Sequence, residues 1–176
     1  TSLTSPDATG PLATGPLATA PSGSTRGSIF LLGLTVFLSA FLLFQVQPII
    51  ARYILPWFGS TPGVWTTALL FFQVTLLVGY AYAHFIVVRF SWRKQALIHA
   101  VLLGVTLLAL PITPPEVMKP TDAEAPGLRI LLILAVSVGA PYAVLSTTAP
   151  LVQRWFAHLH PGRSPYRLYA LSNTGS

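Results

Sequence analysis

Four long apolar stretches account for most of this chain, at about residues 28–50, 63–88, 95–112 and 128–149. Each is close to or above the ~18 consecutive apolar residues typical of a membrane-spanning helix. Because the core of a bilayer contains no water, backbone groups there must be hydrogen-bonded within the chain, as they are in a helix. The pattern therefore predicts an all-α, polytopic membrane protein with about four transmembrane helices.

The first 27 residues have a different composition. They contain a tandem Gly-Pro-Leu-Ala-Thr repeat and few groups that a folded core would bury. Such a segment cannot offset its conformational entropy by apolar burial, so we expect a flexible tail over 1–27 and one transmembrane domain over 28–176. A cleaved signal peptide is the alternative. The apolar run after Arg26 is longer than a signal core, however, and no clear A-x-A cleavage site accompanies it.

Composition agrees with a membrane location. Hydrophobic residues make up 53% of the chain and charged residues 8%, with a mean hydropathy of +0.68. A soluble domain carries about 25% charged residues. The sequence contains no cysteine, which excludes disulfides and thiolate metal sites.

Basic residues are distributed unequally between the two sides of the predicted bundle. Three lie on one side, and seven on the other: Arg26, Arg89, Arg93, Lys94, Arg154, Arg163 and Arg167. The positive-inside rule then predicts that both termini are cytoplasmic, with the loops at 48–62 and 113–127 outside. Arg89, Arg93 and Lys94 form a short loop that we expect to contact anionic lipid headgroups. Because the basic residues are spread over three segments, nucleic-acid binding is not expected.

Small residues recur at a spacing that suits close helix packing in lipid. Three pairs are four residues apart, and we predict that they lie at helix–helix contacts: Gly79 and Ala83, Ala100 and Gly104, and Ala135 and Gly139.

A few polar residues lie within the predicted spans, where they are costly. Gln73, Tyr80 and His84 are spaced by seven and four residues, so they share one face of the second helix. This polar stripe either lines a substrate path or ligand site, or makes interhelical hydrogen bonds. A polar cluster is expected at the cytoplasmic end of the fourth helix, where it ends the helix and contacts headgroups: Ser146, Thr147, Thr148, Gln153 and Arg154.

Two histidines are candidate cofactor ligands. His84 and His99 lie on either side of the short basic loop, and a neutral imidazole can ligate the metal of a haem or another tetrapyrrole. A histidine near a helix end is more commonly interfacial, so we predict neither a bound cofactor nor a metal site. Motifs of nucleotide binding, metalloproteases and serine hydrolases are missing, which predicts a protein that is not an enzyme.

A set of short motifs, ordered along the chain, resembles a known family. The chain is similar, over about residues 29–176, to the amino-terminal membrane part of bacterial fused transporter-like/spermidine-synthase-like proteins. The similar segments are Phe44-Gln-Val-Gln-Pro48, Leu55-Pro-Trp-Phe-Gly59, Val64-Trp-Thr-Thr67, Phe71-Phe-Gln73, Gly79-Tyr-Ala-Tyr-Ala-His84, Leu145-Ser-Thr-Thr-Ala-Pro-Leu-Val-Gln-Arg-Trp155 and Pro165-Tyr-Arg-Leu-Tyr-Ala-Leu-Ser-Asn-Thr-Gly-Ser176. The resemblance implies kinship of the membrane part alone, because the soluble aminopropyltransferase-like domain has no counterpart in these residues. It therefore implies no polyamine chemistry.

Three functions are compatible with these features. The first is a noncatalytic accessory subunit of a larger membrane complex in the bacterial inner membrane, with other membrane subunits and lipids as partners. Respiratory and photosynthetic complexes are plausible hosts. The second is the membrane anchor of a longer spermidine-synthase-like enzyme. The third is a transporter fragment, suggested by Gln45, Gln73 and Tyr80 and by prolines within the helices.

Overall fold

The computed structural model describes residues 23–108, 110–120 and 126–176, without the side chains of 23–25. These residues form α1 (Gly23–Phe58), α2 (Pro62–Arg89), α3 (Trp92–Leu107), α4 (Pro126–Leu134), α5 (Ala140–Leu159) and α6 (Tyr166–Gly175). A π-helical segment, Ala135–Gly139, joins α4 to α5, and a 3₁₀ turn spans Glu116–Met118. No strand occurs in this part of the chain, so the all-α fold class is confirmed.

Three continuous helices are long and apolar enough to cross a membrane: Arg26–Phe58, Pro62–Arg89 and Pro126–Leu159. Their surfaces carry many exposed large apolar side chains, including Phe30, Leu77 and Leu132. A soluble monomer rarely exposes apolar surface of this extent. Membrane insertion explains it, because lipid is the solvent of those side chains.

The third predicted span is shorter than expected. α3 has 16 residues, or about 24 Å, whereas a bilayer core is about 30 Å thick. It ends before Pro111, whose ring disfavours helical backbone at the preceding residue. The chain nevertheless continues toward the opposite end of the bundle, since Ile112 packs against a core cluster that includes Ile54, Val64 and Ile130.

The other helices extend beyond their predicted bounds. α1 continues through Pro48 to Phe58, so the predicted loop at 48–62 shrinks to 59–61. Proline in a helix removes one backbone hydrogen bond, but continuing the helix here buries Ile50 and Ile54 completely. The helix predicted to end at residue 149 continues to Leu159. Of the predicted tail, 1–22 lies outside the described residues and 23–27 belongs to α1.

Two apolar clusters hold the helices together. The larger one joins α1, α2, α4 and α5 through Ile50, Ile54, Val64, Ala68, Phe72, Ile130, Leu134, Val138 and Tyr142. The smaller one, Ala83, Ile86 and Leu151, joins α2 to α5 near the other end of the bundle, with Ile98 of α3 packed against it. α6 packs along α1 in the same direction, because Leu168 and Leu171 face Gly33 while Gly175 faces Phe37 and Ala40.

This packing collects five helix ends at one end of the bundle. The end of α2 and the start of α3 share a small cavity with the end of α5, lined by Val87, Ser91 and His158 among others. The start of α1 shares a groove with the end of α5 and the start of α6. The seven basic residues grouped by sequence lie in or beside these segments. The end of the bundle with these residues is called the basic end below.

Candidate functional site

A buried polar network joins α3 to α5. Gln95 and His99 are one helical turn apart on the inward face of α3, and both are almost completely buried. His99 Nε2 lies 3.0 Å from Thr148 Oγ1, and His99 Nδ1 lies 3.2 Å from Thr147 Oγ1. The indole of Trp155 meets the imidazole edge-on, with ring centroids 6.3 Å apart.

The hydrogen bonds of this network assign the protonation of His99. The hydroxyl of Thr147 donates its one proton to the carbonyl of Val144 at 2.6 Å. Its oxygen therefore accepts from His99 Nδ1–H, which leaves Nε2 to accept from the hydroxyl of Thr148. Both ring nitrogens of the neutral imidazole are satisfied, and neither has a free lone pair for a tetrapyrrole metal in this arrangement.

Gln95 extends the network toward the basic end. Its Oε1 accepts a 2.9 Å hydrogen bond from the indole N–H of Trp155, and its Nε2 donates a 2.7 Å hydrogen bond to the carbonyl of Phe90. One amide therefore ties the end of α2, the start of α3 and α5 together. It borders an open cavity of about 460 Å³ that Arg154 and His158 also line.

The chemistry available to this network is hydrogen bonding. Among the residues that the structure describes, no acidic side chain lies close to it, since Glu116, in the loop after α3, is the only one. In the same residues, no group of three His, Cys, Asp or Glu side chains comes together to hold a metal ion. The network contains hydroxyls and an imidazole, and its hydrogen bonds join α3 to α5.

The polar stripe of α2 lies on a different surface. Gln73, Tyr80 and His84 are all exposed, and none makes a side-chain hydrogen bond to another described residue. An adjacent face of α2, about a third of a turn away and with Gly79 and Ala83, is the one that packs on α5. The stripe therefore neither lines an interior path nor joins helices within the described chain. Of the two histidines predicted as candidate ligands, His84 is exposed on this surface and His99 is buried in the network.

The three predicted packing pairs have different positions. Gly79 is buried, and a Cβ there would overlap Ser146 Oγ, while Ala83 is buried beside Leu151. A Cβ on Gly139 would lie 3.6 Å from Phe71 Cζ of α2, an ordinary contact distance, and its partner Ala135 is exposed. Ala100 and Gly104 differ from expectation, because both lie on the outer face of α3 and a Cβ on Gly104 would meet nothing within 4 Å. Because α3 faces α5 with the side that carries Gln95 and His99, the side with Ala100 and Gly104 points away from the bundle.

The basic loop is exposed, as a headgroup contact requires. The side chains of Arg89, Arg93 and Lys94 are all solvent-accessible. The guanidinium of Arg93 lies over the ring of Trp92, 5.4 Å from its centroid.

The sequence interpretation missed the role of Ser146, Thr147 and Thr148. They were expected at a helix end in contact with headgroups, but they are mid-helix and buried. Two sequence features could have indicated the buried network. One is the run of three small hydroxyl residues within an apolar span, and the other is the pair Gln95 and His99, four residues apart on another helix. A second polar contact was also missed, in which Gln47 Nε2 donates to the Tyr142 hydroxyl at 3.1 Å.

The π-helical segment carries one further polar anomaly. Ser137 is buried, and its hydroxyl has no hydrogen-bond partner among the described residues. π-helical turns inside α-helices are frequent at functional sites, but Ser137 lines neither the groove beside α6 nor the cavity at the end of α5.

No protein-family model, no curated protein and no solved structure matches this chain. The resemblance to the membrane part of spermidine-synthase-like proteins stays a prediction. Function has to be inferred from the buried network, the exposed polar stripe and the basic end.

Proposed function

We propose that this chain is a noncatalytic accessory subunit of a larger membrane complex, held there by contacts within the lipid. The observation that carries the proposal is the outward direction of Gln73, Tyr80 and His84 on α2. Leaving an amide, a phenol and an imidazole against hydrocarbon is unfavourable, and such residues usually face a protein neighbour. A helix of another subunit would supply that neighbour.

The spacing of the stripe fits a helix rather than a small ligand. His84 lies eleven positions after Gln73 on α2, or about 16 Å along the helix axis, with Tyr80 between them. Interhelical hydrogen bonds in membranes are worth about 0.6 kcal/mol each on average. Three of them, together with apolar contacts from Leu77, would select a partner and its register without a soluble interface.

The remaining polar groups support a structural role. The strongest candidate for chemistry, His99, has both nitrogens occupied by threonine hydroxyls. Gln47 and Gln95 are likewise hydrogen-bonded across helices. We infer that the inside of the bundle is used for its own cohesion and the outside of α2 for association.

The membrane anchor of a longer enzyme is the second candidate, and the same stripe supports it. Later helices of a longer chain would cover Gln73, Tyr80 and His84 as well as a separate subunit would. Intact-mass measurement of the protein purified from its natural membrane distinguishes the two. A mass near 18.9 kDa favours the subunit, and a much larger mass favours the anchor.

Native electrophoresis after gentle detergent extraction tests the proposal. The double variant Gln73→Leu/His84→Leu should dissociate from the complex, with affinity about tenfold weaker. Thr35→Val is the matched control, because it removes an exposed hydroxyl from α1 that bonds only its own helix at Leu31. Migration of the unsubstituted protein as a lone chain in its micelle, or of the double variant with the full complex, would contradict the proposal.

Photo-crosslinking locates the contact. A photoreactive residue at Leu77, which lies in the stripe and is 68% exposed, should join a second protein. The same group at Leu97 of α3, which is 67% exposed, should react with lipid. Equal protein crosslinking at both positions would show that the stripe has no special role.

A further inference from the structure

An open groove of about 960 Å³ runs between the first part of α1 and α6 at the basic end. Its walls are mainly apolar. Ile29, Phe30, Leu34 and Phe37 of α1 form one side and Leu171 of α6 forms part of the other. Phe30, which lines the groove, is 69% exposed, so no described residue covers it. The described chain therefore leaves an apolar channel unfilled beside two of its helices.

One end of the groove is cationic. Arg163 and Arg167 belong to its lining, and Arg26 lies one turn before Phe30 on α1. Neither Arg163 nor Arg167 contacts a carboxylate among the described residues, where Glu116 in the loop after α3 is the only acid. The two guanidinium groups are thus free to bind an anion that enters the groove with them.

The groove also has the depth of one membrane leaflet. Along α1 it extends over residues 29–37, which is about 12 Å of helix. Half of a ~30 Å hydrocarbon core is about 15 Å. Because α6 runs along α1 from the basic end inward, the arginines lie at the headgroup level when the apolar walls lie at acyl-chain depth.

We propose that this groove binds an anionic phospholipid, with its acyl chains along Ile29, Leu34 and Phe37 and its phosphate at Arg163 and Arg167. Charge complementarity favours this occupant over an apolar helix, which would leave both arginines unpaired. Arginine binds phosphate through two parallel N–H···O hydrogen bonds, and the two side chains together match one phosphodiester headgroup. The site is separate from the stripe on α2 and does not depend on the role proposed for it.

Native mass spectrometry of the full-length chain tests the proposal. The protein is reconstituted in vesicles of equal phosphatidylglycerol and phosphatidylcholine with identical acyl chains, then released and its retained lipid counted. We expect selective retention of one phosphatidylglycerol. Arg163→Gln/Arg167→Gln should weaken that retention about fivefold for each arginine removed. Arg52→Gln/Lys119→Gln, which removes two exposed positive charges away from the basic end, is the matched control and should retain the lipid.

A second variant tests the apolar part of the site. Ala170→Trp places an indole in the groove and should abolish retention of either lipid there. Ala100→Trp makes the same change on the exposed outer face of α3 and should have no effect. Circular dichroism must show the same helix content for both variants.

Three results would overturn the proposal. They are equal retention of the two lipids, loss of retention in the Arg52/Lys119 control as large as in the Arg163/Arg167 variant, and unchanged retention in Ala170→Trp. A photoreactive group at Leu34 that crosslinks to protein in the membrane, whether to residues 1–22 or to a partner helix, would also overturn it. Crosslinking of that group to phosphatidylglycerol supports it.

Discussion

Gly79 of α2 lies directly against Ser146 of α5, so closely that a Cβ on residue 79 would overlap the serine hydroxyl. The backbone carbonyl of Ala143 would be 2.9 Å from the same atom. Ser146 is itself fully buried and donates its proton to that carbonyl. The close approach of these two helices therefore depends on the missing side chain of one glycine.

Gly79→Ala should destabilise the bundle by about 1–3 kcal/mol, because the added methyl group must push α5 away. This exceeds the gain of about 1 kcal/mol that alanine gives over glycine within a helix. Thermal unfolding in detergent measures the difference. Gly104→Ala is the control, and it should be neutral or stabilising because its Cβ enters open space. Ser146→Ala in the Gly79→Ala background should recover part of the loss. Equal stabilities of the two glycine variants would contradict this packing.

His99→Leu should cost about 1–3 kcal/mol of unfolding free energy, since it leaves the buried hydroxyl of Thr148 without its acceptor. Adding Thr148→Val removes the orphaned hydroxyl and should restore stability in part. His84→Leu, on the exposed face of α2, should leave the isolated chain unchanged. If Thr148→Val gives no recovery in the His99→Leu background, the two side chains are not coupled as described.

Gln95 and Trp155 should be energetically coupled. A double-mutant cycle with Gln95→Leu and Trp155→Phe should give a coupling of about 0.5–1.5 kcal/mol, the value of one hydrogen bond. Thr106→Val combined with Trp155→Phe is the reference pair. Thr106 bonds only the carbonyl of Leu103 in its own helix, so that pair should be additive. If the two substitutions in the Gln95 cycle are additive, the hydrogen bond between Gln95 and Trp155 does not contribute to the association of α3 with α5.

Membrane orientation can be tested with single cysteines, because the natural chain has none. Cysteine at Ser60, in the short connection between α1 and α2, should react with an impermeant thiol reagent in whole cells. Cysteines at Ser91 and Ser164, both at the basic end, should react only after the membrane is opened. Reversed labelling would overturn the predicted orientation. Labelling of Ser91 and Ser164 from opposite sides would show that the segment from α3 to Pro126 does not cross.

The existence of the long helices followed from the sequence, because run length and polarity determine whether a segment can leave water. Their ends were less predictable. α1 passes Pro48 and α5 passes Pro150 without a break, since tertiary burial of residues such as Ile54 and Phe156 offsets the lost hydrogen bonds. By contrast, α3 is shorter than predicted: it ends at Leu107, although apolar residues continue beyond it.

The helix faces were decided by the tertiary structure alone. In water, an apolar stripe marks the buried side of a helix, but in lipid both sides are apolar and the pattern no longer distinguishes them. The sequence therefore showed that Gln73, Tyr80 and His84 share a face without showing that this face is exposed. It likewise contained Gln95, His99, Thr147 and Thr148 without pairing them. Whether these residues come into contact depends on which faces of α2 and α3 pack against α5. The steric fit at Gly79 determines the face of α2, and the hydrogen bonds of His99 determine that of α3.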